Sequence, residues 1–131
     1  MRSARAFDPS LGSPLVLARW LGADVHDVLV LGFEGAAPLH LFPAADGVSL
    51  ACGAAPQPRD VSGVTPAPLA PCLGRRLVAA SPRVHEYESV HDGLDESGVV
   101  LEFEGGRRVI VENDGGELVV DRTGHSRRSA G

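Results

Sequence analysis

Apolar side chains in this chain favour every second position. Leu29, Leu31 and Phe33 share one parity, and Val99, Leu101 and Phe103 repeat the arrangement further on. A period of two places such residues on one face of an extended strand, whereas a helix needs 3.6. The partners of these strands are read the same way. Leu39 and Leu41 face inward in the first case, Val109 and Val111 in the second, followed by Leu118 and Val120. Between them stand turn signals. "EGGR" (104–107) predicts a two-residue Gly-Gly hairpin, and Asp114-Gly115 and Asp46-Gly47 predict the next turns; glycine tolerates the positive φ that tight hairpins demand.

One segment carries two messages. "SPLVLARWLG" reads as a short helix with Ser13 as N-cap, Pro14 in the first turn and Gly22 as stop. The related "GRRLVAASP" is interrupted by Pro82, and its Leu-Val-Ala run suits a strand. The strand is therefore preferred over 14–20 as over 75–80.

The relation between those two segments belongs to a longer internal repeat. "LGSPLVLA" (11–18) answers "LGRRLVAA" (73–80), "VHD" occurs at 25–27 and 90–92, "VLVLGFEG" (28–35) answers "GVVLEFEG" (98–105), and "DGVSL" (46–50) answers "DGGEL" (114–118). The blocks keep their order, the mark of a duplicated unit. The expected organisation is one domain: a first unit at 11–52, a Pro-rich extended linker at 53–72, a second unit at 73–121 and a disordered tail at 122–131. The fold class is all-β, with two similar three- or four-stranded antiparallel units forming a small barrel or sandwich.

Composition narrows the function classes. With 44% hydrophobic residues but only 5% aromatic, the core is mainly aliphatic, and 16 glycines with 10 prolines suit turn-rich β structure better than a helical bundle. Trp20 is assigned to the core. No apolar run reaches membrane-spanning length, so a cytoplasmic protein without a membrane partner is expected. Lysine is absent and all twelve basic residues are arginine, which points to a GC-rich bacterial genome of actinobacterial type. Cys52 and Cys72 fit no zinc spacing and are expected to be free thiols.

The net charge is −5, and it is unevenly spread. Glu86, Glu88, Asp92, Asp95, Glu96, Glu102 and Glu104 fall in one stretch without Arg or Lys, while both termini are basic. An acidic body argues against a duplex nucleic acid, whose phosphates need clustered cations.

Within that stretch, "VHEYESVHD" concentrates histidine and carboxylate around Tyr87. His85-Glu86 begins like the zinc-protease H-E-x-x-H, but the second histidine would have to be Ser89. His85 and His91 would stand roughly 20 Å apart on a straight strand, too far to share an ion. The repeated triplet supplies a different set, His26, Asp27, His91 and Asp92, which forms a metal or acid/base site only if the two histidines meet. A capped turn explains Asp beside His equally well. The second triplet is followed by "GLDES" (93–97), which the first copy lacks, and an added loop is where function is grafted onto a duplicated scaffold. Neither a nucleophile elbow nor a phosphate loop is present.

Two functions follow as expectations. The first is a non-catalytic binding or accessory protein, of inhibitor or immunity type, docking a basic protein through Glu86, Glu88, Asp92, Asp95 and Glu96 without a cofactor. The second is a small β-barrel that binds or transforms a small molecule beside His26, Asp27, His91 and Asp92.

Overall fold

The alternation and the glycine turns are realised as eight strands. The computed structural model describes residues 4–22, 25–45, 49–54, 61, 63–84 and 96–122. The strands are β1 (Leu15–Gly22), β2 (Val25–Phe33), β3 (Leu39–Pro43), β4 (Leu50–Ala54), β5 (Leu77–Val84), β6 (Glu96–Phe103), β7 (Arg107–Asp114) and β8 (Glu117–Arg122). They form two four-stranded antiparallel sheets in the orders β1-β2-β3-β4 and β5-β6-β7-β8. Each sheet is an open meander. Of the two expected arrangements, barrel or sandwich, the closed barrel is not formed: each strand pairs with its successor, and the last strand of each sheet does not return to its first. Instead, the apolar faces of both sheets meet in one core.

The two units match in register as well as in order. Leu29 pairs with Leu41 and Leu31 with Leu39 in the first sheet; Val99 pairs with Val111 and Leu101 with Val109 in the second. Both first strands also carry the same irregularity. The ladder slips between Leu15 and Leu17 in β1, and between Leu77 and Ala79 in β5. The extra residues, Val16 and Val78, are left 59% and 55% exposed, while Leu15 and Leu77 are buried. This bulge explains the helix-like spelling of the first strand. It advances the inward parity from Leu15 to Ala18, a helical spacing produced on an extended chain.

The duplication reaches further back than sequence reading placed it. A 3-10 helix at Arg5–Ser10 precedes β1, and another at Ala67–Cys72 precedes β5, inside the segment expected to be a plain extended linker. Pro9-Ser10-Leu11-Gly12 thus stands opposite Pro71-Cys72-Leu73-Gly74. Gly12 and Gly74 both have φ of +85°, a conformation that glycine adopts without penalty.

After these turns the units grip one another reciprocally. The Gly12 N–H donates to the Leu77 carbonyl and the Gly74 N–H to the Leu15 carbonyl, both at 2.7 Å. Leu15 N–H donates to Arg75 and Leu77 N–H to Ser13, both at 3.0 Å. Ser13 is thus part of the crossing rather than a helix cap. The pattern is that of a pseudo-twofold axis near Pro14 and Arg76, which form an isolated bridge.

Across this seam the core is built from corresponding residues. Phe33 stacks on Phe103 at 6.5 Å, and Phe7 meets Phe33 edge-on at 6.1 Å. Trp20 is buried in the same core. Asn113, also buried, donates to the Ser49 carbonyl at 2.8 Å and accepts from Gly116 N–H, tying a turn of one unit to a loop of the other.

Two turns differ in detail from expectation. Phe103 pairs with Arg107, so the first hairpin has three loop residues, Glu104-Gly105-Gly106, not two. Asp114 pairs with Glu117, making Gly115-Gly116 a two-residue loop with φ of +69° and +99° at its centre. The Asp46-Gly47 turn and the tail from residue 123 onward lie outside the described residues.

The remainder of the linker also has work in the fold. Trp20 N–H donates to the Val64 carbonyl and Gly63 N–H to the Trp20 carbonyl, both at 3.0 Å, while Arg19 Nε donates to the Gly63 carbonyl at 2.7 Å. Residues 63–64 thereby cover the open edge of β1. A Cβ at Gly63 would stand 2.7 Å from both the Gly22 carbonyl oxygen and the Trp20 Cβ, and nearer still to the Trp20 carbonyl oxygen.

Candidate functional site

The two units differ most where their first strands turn back. Residues 23–24 join β1 to β2, but residues 85–95 join β5 to β6. His85, Glu86, Tyr87, Glu88, His91, Asp92 and Asp95 all lie outside the described residues. Glu96 opens β6, and His26 and Asp27 lie at the start of β2. The separation of His26 and His91, on which the shared-site reading turned, thus rests on an undescribed partner.

The triplets stand at different sequence distances from the buried strand residues that follow them. Asp27 precedes the buried Leu29 by two residues, while Asp92 precedes its counterpart Val99 by seven. The strand start that answers His26 and Asp27 is Glu96-Ser97. Ser97 is buried, and its hydroxyl donates to the Arg83 carbonyl at 3.2 Å, closing the β5–β6 pair. Among the described residues, no group of three or more His, Cys, Asp or Glu is placed to hold a metal ion.

Sheet pairing redistributes the acidic run. Glu102 stands opposite Arg108 in the β6–β7 ladder. Glu104 accepts from the Arg76 N–H at 3.1 Å, and its carbonyl accepts from Arg75 Nη1 at 3.4 Å. Arg83 of β5 forms an ion pair with Glu112 of β7 at 2.7 Å, across β6. The carboxylates at the end of β6 are thus interleaved with arginine. The beginning of the run, 85–95, lies outside the described residues and leads into Glu96 at the start of β6.

Both cysteines are free thiols. Cys52, in β4, has its thiol pKa pushed up to about 11 by burial. Cys72 is raised by burial too, an effect that the positive charges of Arg107 and Arg75 oppose.

Cys72 also belongs to the floor of a pocket of about 200 Å³ at one end of the second sheet. Its lining is Pro68 and Cys72 from the linker 3-10 helix, Gly106 from the hairpin, Arg107, Arg108 and Val109 from β7, and Arg122 from β8. Val109 and Cys72 are buried; Arg107, Arg108 and Arg122 are exposed. Sequence reasoning missed this group because it is drawn from three separated segments and its arginines resembled genomic bias. The available signal was the repeat itself, which sets Arg107-Arg108 against Ala37-Pro38.

In the first unit, His40 stacks on Phe42 at 4.9 Å, and its Nδ1 is buried without a hydrogen-bond partner among the described residues. Gly53 lies opposite, and a Cβ there would come within 3.3 Å of the imidazole. Comparison of the chain with protein-family models, curated proteins and solved structures finds no match.

Proposed function

We propose that this is a non-catalytic binding protein, of inhibitor or immunity type, that docks a basic protein partner through its acidic β5–β6 connection. One observation carries the reading. Two units that share register and bulge differ most at one connection, eleven residues at 85–95 against two at 23–24. The longer one holds Glu86, Glu88, Asp92 and Asp95 and leads into Glu96, with no Arg or Lys. The largest difference between the copies is thus an extended loop, the kind of element that carries function on a rigid scaffold. A concentrated negative charge accelerates encounter with a positive partner and fixes its orientation. The free thiols suit a reducing cytoplasm, and the lysine-free composition suits a GC-rich bacterial source.

The test is affinity capture from the source lysate, comparing the wild type with the E86R/E88R/D95R/E96R variant at rising salt. The expected result is a basic protein retained by the wild type, released by about 0.5 M salt, and absent from the variant. A partner held equally by the variant, or one indifferent to salt, would overturn the proposal.

A further inference from the structure

We propose that β4 is the contact through which two copies of this chain join edge to edge, continuing the first sheet of one into that of the other. The second copy's β4 runs antiparallel to the first, about a twofold axis through Cys52. This contact does not involve the acidic connection and does not depend on the docking proposal.

The sheet edges are not alike. The edge strands are β1 and β4 in one sheet, β5 and β8 in the other. An edge presents a row of N–H and C=O groups that another strand can complete unless the edge is guarded. Residues 63–64 hydrogen-bond to β1, and β5 carries Pro82. β8 carries Glu117, Asp121 and Arg122. β4 is Leu-Ala-Cys-Gly-Ala, without a charge or a proline, and its ladder to β3 runs without a bulge. Among the described residues, β3 is its only hydrogen-bonding neighbour.

Register shows which groups point outward. Ala44 N–H donates to the Ser49 carbonyl at 2.9 Å, in the same register that pairs Pro43 with Leu50 and Phe42 with Ala51. Hydrogen-bonded and non-bonded pairs alternate along an antiparallel ladder. Ala51 and Gly53 therefore bond to β3, and the backbone groups of Leu50, Cys52 and Ala54 face away from it. Cys52 is the midpoint of the strand. A twofold axis there sets Cys52 against its own copy and Leu50 against the second copy's Ala54, so every outward group of the strand finds a partner.

Side chains suit the same arrangement. Leu50 and Cys52 pack on the core, and the axis keeps them on the core face of the joined sheet. The opposite face carries Ala51 and Gly53, too small to screen the edge. No like charges are opposed, whereas β8 paired with itself about Val119 would set Glu117 against Asp121.

The experiment is sedimentation equilibrium of the full chain from about 1 to 500 µM, with amide hydrogen exchange at both ends of that range. The mass is expected to rise from 13.7 kDa toward twice that value. The Leu50, Cys52 and Ala54 amides should exchange at least about tenfold more slowly in the dimer, while Ala51 and Gly53 stay protected throughout. Ala51→Lys sets like charges beside the axis, and Ala54→Pro removes an outward donor from each copy without touching the β3 ladder. Each is expected to weaken association by at least about tenfold, and either carries the test if the other folds poorly. Val119→Lys, the equivalent change on β8, should leave association unchanged. A chain that stays monomeric to about 500 µM overturns the proposal; if its Leu50 and Cys52 amides are protected even so, a segment of the chain itself occupies the edge. A dimer whose Cys52 amide exchanges as fast as the monomer's, or one that A51K and A54P leave intact, would overturn it too.

Discussion

Cys52 shows how a single side chain ties the core to solution conditions. It stands opposite Leu41 in the β3–β4 ladder and packs against the core, so ionising its thiol means placing a charge in apolar surroundings. Its folded-state pKa is raised from 9.0 to about 11. Between those values the unfolded chain releases the proton while the folded chain retains it, so the folded state binds more protons and loses stability as pH rises. Cys72 is shifted in the same direction. Urea midpoints are expected to be flat below about pH 8 and to fall progressively from about 9 toward 11. Cys52→Ala should flatten part of that fall. A wild-type and variant slope that coincide would show that this thiol is not the titrating group.

At the level of elements, the crossing of the two units depends on paired turns. Gly12 and Gly74 hold the same positive φ, and each sends its N–H across to the other unit's first strand. A Cβ would meet no neighbouring atom within 4 Å at either place, so the penalty of substitution is conformational rather than steric. Gly12→Ala and Gly74→Ala are each expected to cost about 1–2 kcal/mol. Because their hydrogen bonds belong to one reciprocal network, the double substitution should depart measurably from the sum. Chemical denaturation of the four proteins in the cycle tests this; a near-zero effect at one site and a large one at the other would contradict the symmetry.

The exposed edges at this scale are handled differently in the two units. Residues 63–64 cover β1 beside Trp20, whereas β5 carries Pro82, which offers no N–H for an intruding strand. Pro82 spoke against a helix in the sequence and turns out to guard a strand edge. The linker prolines were legible as unable to supply ladder donors, but not as part of a 3-10 helix, nor was the edge cover by residues 63–64 legible. Those roles depend on where the strands on either side end up.

For the molecule as a whole, the units are joined too closely to melt apart. Phe33 and Phe103 stack across the boundary, the lead-in segments exchange hydrogen bonds, and Asn113 reaches over to Ser49. Trp20, the single tryptophan, reports on the first unit, while far-UV dichroism reports on both. Their thermal transitions are expected to coincide, as for a two-state domain of this length. Separate midpoints would show that each unit folds for itself.

The sequence by itself determined the strand class, the duplication and the inward parity of Leu29, Leu31, Phe33 and their counterparts, because period-two burial and glycine turns are local properties. It misjudged the hairpin at 104–106 by one residue, since loop length is set by which residues pair across the strands. The bulges at Val16 and Val78 were equally hidden, spelled in a pattern that also fits a helix. Only the tertiary structure decided that the sheets stay open, that arginines separate the carboxylates of β6, and that Cys72, Arg107 and Arg122 line one pocket. Charge neighbours and pocket walls come from residues distant in sequence, and folding alone puts them side by side.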